Sequence, residues 1–297
     1  MENSVQEVIE TTQTSEKVGL ACTGWTRGAV MEYIYKTYGI FYSLPWIGKL
    51  LKKWGFTPQK PIKHAIEQKL EEVERWVEEE YPRIEERAEK AKAIIFFGDE
   101  AGFRSTDIRG RAYKRRGEKP IAERPVSRLR CNMVCAVSNQ GKLIWKIFQE
   151  NFTAKVFIEF LSMLRSKVRK KIFLIMDNHR VHHSIDVRKW LWKHRKRIKL
   201  FFLPPYSPEL NPQELINQYV KSQVGSFQVI RSSEDMVSNL VNCLTQLEKD
   251  PNKARNFFQK YKVKYAFLYK GAEFISLQTL IKKFIFGFLS KIFFKIK

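Results

Sequence analysis

The chain has 297 residues, 44% hydrophobic and 13% aromatic. That is enough to bury the core of one large domain or two smaller ones, and it excludes a disordered chain. Its 54 lysines and arginines against 31 acids leave a formal charge of +23. This goes far beyond what solubility asks and predicts a polyanionic partner, nucleic acid before an anionic membrane. Cys22, Cys131, Cys135 and Cys243 form no CxxC pair. They read as core residues or free thiols in a reducing compartment, which argues against a zinc ribbon and places the chain in the cytoplasm.

Residues 1–24 read as a polar leader, mobile or one frayed helix, without the apolar run of a signal peptide. From Trp25 the apolar spacing turns helical. Val30, Ile34 and Tyr38 share a face, and Gly39 can close the helix. Ser43 can cap a second helix with Pro45 in its first turn and Lys49, Lys52 and Lys53 along it. Residues 25–61 therefore predict a helix-turn-helix segment whose lysines contact DNA. A helical hairpin with a solvated basic face fits the same pattern.

Residues 62–92 are charged and helical and predict a solvated connecting helix, broken near Pro82. At Ala93 the period changes. Ile94–Gly98 reads as a buried strand ending on Asp99 and Glu100. The basic segment after it carries Arg109, Arg111, Lys114, Arg115, Arg116 and Lys119, with Phe103 and Tyr113 interleaved. Cations among aromatics suit a phosphate backbone with bases nearby. Cys131–Val137 and Lys142–Ile147 predict a β-hairpin, and Thr153–Val168 an amphipathic helix. The run Ile172–Met176 predicts a second buried strand, ending on Asp177. A helix over Ser184–Lys196, a strand over Ile198–Leu203, a proline turn and a helix from Pro212 follow. The order predicts an α/β fold, a mixed sheet with helices on both faces. It places a catalytic core over 93–230 and closing helices over 231–266. The basic, hydrophobic tail over 267–297 could lie on a membrane, pack on the core or be an extension. No run of about 18 uncharged apolar residues predicts a membrane span.

Phosphodiester chemistry needs an activated oxygen nucleophile and charge stabilisation of an in-line transition state, and two divalent ions about 4 Å apart supply both. Mg²⁺ prefers carboxylate oxygens. Asp99, Asp177 and Glu214 are the candidate ligands and catalytic residues, with Asp99 bridging. Glu100 competes with Asp99, and Glu209 competes with Glu214 from within the turn. His179, His182 and His183 invite a zinc reading, but no fourth ligand stands at a matching spacing. A histidine there fits better beside substrate phosphate or a backbone group.

Gly98-Asp99-Glu100, Met176-Asp177-Asn178-His179 and the run Leu203-Pro-Pro-Tyr-Ser-Pro-Glu-Leu-Asn-Pro-Gln-Glu214 together resemble the mariner-like Asp-Asp-Glu transposases of bacterial insertion sequences. Asn217 and Lys221 also fit one branch of that family. The resemblance spans about Trp25 to Ala266 and is most specific in the proline loop. It implies a ribonuclease H-like core, two Mg²⁺ or Mn²⁺ ions, and cut-and-paste movement of an element through its terminal inverted repeats into TA targets. It puts Asp99, Asp177 and Glu214 on the family's triad, with Asn178, His179 and Asn211 in support. A homodimer on DNA, associated with the nucleoid, follows from the same analogy. Family members usually carry two helix-turn-helix units, and here one is evident. A truncated, non-catalytic DNA-binding relative acting as a repressor is the alternative.

Overall fold

A computed structural model of the chain describes residues 1–12, 15–22, 24–59, 65, 67–106, 113–119, 121, 129–225 and 230–267. It divides into two units, Met1–His64 and Ala65–Lys297.

Among its described residues the first unit has three α-helices, α1 (Glu2–Thr11), α2 (Arg27–Tyr38) and α3 (Leu44–Lys53). The Thr26 hydroxyl caps α2 by accepting from Ala29 N–H at 3.1 Å, and Gly39 ends it at φ +68°. Val5, Val30, Ile34 and Ile47 are fully buried together. The first residues thus do more than the polar leader expected of them, since α1 contributes Val5 to this small core. One buried valine among Glu, Gln and Thr leaves little periodic signal in the sequence. Trp54 also donates to Glu2 Oε2 at 3.0 Å.

The second unit is built on a five-stranded sheet in the order β3-β2-β1-β4-β5. The strands are β1 (Ile94–Arg104), β2 (Arg130–Ser138), β3 (Leu143–Phe148), β4 (Ile172–Met176) and β5 (Ile198–Phe202). β1, β2 and β3 form an antiparallel meander, and β4 and β5 add parallel to β1. The crossovers are α6 (Ala154–Lys167), between β3 and β4, and α7 (Ile185–Lys193), between β4 and β5.

Alternation along the strands sorts side chains between two cores. Phe97, Cys135 and Ile175 face helices α5 (Tyr81–Lys90), α8 (Pro212–Gly225) and α9 (Ser233–Glu248). Phe96, Val134 and Leu174 face α6 and α7. β4 is buried along its whole length because both its faces are covered.

The charged segment before the sheet differs from expectation. α4 (Leu70–Arg75), a π turn over Trp76–Glu80 and α5 follow without a break. Pro82 sits in the first turn of α5, where its missing N–H costs little, and the π turn absorbs the shift in hydrogen bonding. Trp76, Tyr81, Ile84 and Ala88 are buried against the sheet, so this is an amphipathic packing helix with a solvated outer face. Each large side chain buried there contributes roughly 1.5–3 kcal/mol. After α9 come α10 (Pro251–Asn256) and two short 3₁₀ turns. Among the described residues no helix is long and apolar enough to cross a membrane. Nearly all of the expected tail, 268–297, lies outside them.

Candidate active site

The site forms where β4 stops and β1 continues. The two strands pair only from Ile94 to Phe97. Beyond that point the β1 edge has lost its neighbour, and its backbone needs other partners. Asn211 supplies one, donating from Nδ2 to the Gly98 carbonyl at 3.0 Å. Gly98 is favoured by crowding, because a Cβ there would stand 2.4 Å from Met176 Sδ and displace it. The missing side chain lets the end of β4, and with it Asp177, lie close against β1.

Asp99 and Glu100 point to opposite faces. Asp99 pairs across the ladder with Cys135 and Glu100 with Val134, residues of the two different cores. Asp99 accepts from Asn217 Nδ2 at 2.8 Å, and its carboxyl lies within hydrogen-bonding reach of Glu214. Burial first, then the charges of Glu100, Glu214 and Asp177, push its pKa well above the ordinary carboxylate value. Asn217 is held in turn by Gln213 Nε2 at 3.1 Å, and both amides are fully buried.

Glu100 faces the histidine turn. Its pKa rises to about 7 through burial and then the charge of Asp177. Asp177 accepts from His182 Nε2 at 3.1 Å and from His179 N–H at 3.3 Å. Burial raises the Asp177 pKa, but the His182 bond and charge and the His179 contacts more than offset it, leaving it below the ordinary value. Burial holds His182 below its own ordinary value despite Asp177. A neutral His182 keeps the hydrogen bond to Asp177 but not the charge, so the bond is the durable part of this pairing. Ligand atoms of Glu100, Asp177 and His182 all lie within 4.8 Å of one another. No other set of three potential ligands among the described residues is this compact, so in this conformation Asp177 is turned toward His182 rather than toward Asp99 and Glu214.

The proline loop closes the site. Pro204–Pro208, Asp99, Asp177, Asn178, His179 and Asn211 line a cleft of about 420 Å³. Tyr206 sits at φ +56° and is 58% exposed. A bulky residue in the left-handed region is strained, and such strain gathers at functional sites. Gln68 ties the loop down, donating to Tyr206 O and Ser207 Oγ at 3.0 Å each and to Glu209 Oε1 at 2.6 Å. Sequence reading missed this clamp, because a lone glutamine far upstream carries no local signal. It also missed the Gln213–Asn217–Asp99 chain, although Gln213 and Asn217 share a helix face with i, i+4 spacing.

The supporting residues take distinct places. Asn178 accepts from His183, and the ring of His179 accepts from Val181 N–H at 3.4 Å. Lys49, Lys52 and Lys53 lie exposed on α3, and Lys53 pairs with Glu2 at 3.4 Å. Lys114, Arg115, Arg116 and Lys119 are exposed. Arg109 and Arg111 lie outside the described residues.

Among the described residues no lysine or arginine pairs with Asp99, Glu100, Asp177 or Glu214. In a chain of charge +23 a cluster of acids kept clear of side-chain cations calls for another cation. Its oxygen-rich donors fit a hard divalent ion such as Mg²⁺ or Mn²⁺.

A mixed sheet of this order, with acids at the ends of its central strands, is the ribonuclease H-like fold of metal-dependent DNA endonucleases. Residues 94–237 match the family model for the DDE superfamily endonucleases, and residues 21–80 match a winged helix-turn-helix model. The chain thus carries a domain that matches the DDE superfamily endonucleases, with a match to a winged helix-turn-helix ahead of it. Solved structures carry the same fold at low identity. The Mos1 strand transfer complex aligns with TM-score 0.61 and 15% identity over 91% of this chain and 79% of that one. The Mos1 mariner paired end complex with Mn aligns equally well, and a pre-cleavage Mos1 transpososome gives 0.59 and 14% over 91% and 80%. No curated protein matches the chain by sequence.

Proposed function

We propose that the chain is a transposase that cuts DNA at the ends of a mobile element and joins the freed 3′-hydroxyls to a target. Asp99, Asp177 and Glu214 are the residues that hold its divalent ions. The observation that carries this reading is the approach of Glu214 to buried Asp99, beside Asp177, with no lysine or arginine paired to them among the described residues. Divalent ions, when bound, supply charge stabilisation and an acidified water.

The chain's own residues do the rest. Asn217 fixes the Asp99 carboxylate, and His182 and the His179 amide fix that of Asp177. Both of these bonds fall on Asp177 Oδ1, which leaves Oδ2 to join Asp99 and Glu214 at an ion. The cleft beside it has room for a phosphodiester, and its proline loop walls off solvent on one side. The exposed cations at 114–119 and on α3 suit the duplex backbone. The paired ends in the solved Mos1 complexes support two copies acting together on two ends.

The test is a supercoiled plasmid carrying the element's inverted repeats, incubated with Mg²⁺ or Mn²⁺. Nicked and joined products are expected from the native chain, and a loss of about a hundred- to a thousandfold from Asp177→Asn or Glu214→Gln. Full cleavage by Asp177→Asn would remove the triad from the reading. Salt-sensitive DNA binding without cleavage in any divalent metal would leave a DNA-binding repressor instead.

A further inference from the structure

The site described above leaves a dense group of cations unused. Arg169 and Lys170 precede β4, and Arg195 and Lys196 precede β5, all exposed. The ladder sets Ile172 beside Ile198, so these two approaches lie together at one end of the sheet. Asp177 stands at the other end of β4, about 20 Å away along the strand. Helix α7 extends the same surface. It turns Val187, Trp190 and Leu191 inward and leaves Trp192 and Lys193 outside. Trp192 is 68% exposed, and the Arg195 guanidinium lies 3.9 Å over its ring.

A merely solvated face accounts poorly for this group. Surfaces that serve solubility intersperse charges of both signs. Here no ion pair among the described residues engages these cations. Lys199, on the adjoining strand, is crowded by Arg87 and Lys171, and burial and their charges hold its amine below the ordinary value. Like charges kept close together oppose folding, and an anionic partner would relieve them. Cations around an exposed indole suit a phosphate chain with bases beside it.

We propose that the edge where β4 and β5 begin, with the outer face of α7, is a second DNA-binding surface that takes the phosphate backbone without regard to sequence. At about 20 Å from the acids it would hold duplex some base pairs away from the scissile bond. The proposal rests on the reading of the chain as a DNA-cutting enzyme.

The experiment is fluorescence anisotropy of a short labelled duplex lacking any inverted repeat, titrated with the full chain over a range of salt. Lys193→Gln/Arg195→Gln/Lys196→Gln is compared with the native chain, both with melting curves to confirm folding. The slope of log affinity against log salt is expected to become shallower by about 2–3, close to one per lost phosphate contact. Trp192→Ala is expected to weaken binding with the slope unchanged. A native slope in the triple variant, with the slope lost instead on changing Lys114, Arg115 and Arg116, would overturn the proposal and leave the DNA reading standing. Loss of binding to phosphatidylserine vesicles but not to duplex would overturn it in favour of a membrane. A native chain that binds no duplex at all would take down both.

Discussion

Asn217 Nδ2 donates to Asp99 Oδ2 at 2.8 Å, joining the second turn of α8 to the central strand. This bond orients Asp99 from a fully buried amide, and Gln213 fixes the amide in turn. Removing the donor leaves a buried carboxyl and a buried glutamine short of a partner. Asn217→Ala is therefore expected to cost about 1–3 kcal/mol in denaturant unfolding. It is also expected to weaken Mn²⁺ binding about 10–100-fold by titration calorimetry, as loss of an orienting partner does at metal sites. Native-like affinity in Asn217→Ala would show that Asp99 needs no such support.

His182 holds Asp177 through Nε2 while its ring is buried against Phe157 and Phe152. His182→Ala is expected to lower divalent-ion affinity by about 10–100-fold. His182→Gln, whose amide nitrogen can reach the same oxygen, is expected to recover part of it. A purely space-filling role for the ring predicts no such recovery, so the pair of titrations separates the two roles.

Glu100 makes the metal-free protein sensitive to pH. Its folded pKa is about 7, above the ordinary carboxylate value of 4.5. The folded state therefore holds the Glu100 proton more tightly than the unfolded state between those values. This contribution to stability is full below about 4.5, falls as pH rises toward 7, and is lost above it, by at most about 3 kcal/mol. Urea melts in chelator should show Glu100→Gln gaining on the native chain as pH rises from 5 to about 8. A constant gap across that range would place Glu100 in an ordinary solvated state.

Two glycines are expected to tolerate a methyl group differently. At Gly98 the nearest obstacle is the flexible Met176 Sδ, and repacking is expected to cost about 1–3 kcal/mol. At Gly141 a Cβ would meet the Pro251 carbonyl oxygen at 2.1 Å, and φ is +84°. Backbone cannot turn aside as a thioether can, so Gly141→Ala should be the less stable of the two in parallel thermal melts.

Much of this site is legible in the chain itself because its information is local. Apolar runs ending in Asp99 and Asp177 announce buried strands that deliver acids, and the proline string places Glu214 just inside a helix. Three features are not legible in that way. Which of Asp99 and Glu100 turns toward Glu214 depends on the register of β1 against β2. The clamp from Gln68 and the bond from Asn217 join residues more than a hundred positions apart. Asp177 has competing partners, and periodicity says nothing about which way a carboxylate rotates.

The adjacent acids on β1 also bear on how such a chain changes over time. A shift of β1 by one residue would still set a carboxylate opposite Glu214, but it would be Glu100, and every apolar side chain of the strand would change layers. What keeps Asp99 in place is then chiefly Phe96 and Phe97, each seated in its own core. Insertions or deletions of one residue between Ile94 and Gly98 should abolish folding rather than exchange one acid for the other. The strand's greasy residues, more than its charged ones, guard the identity of the site.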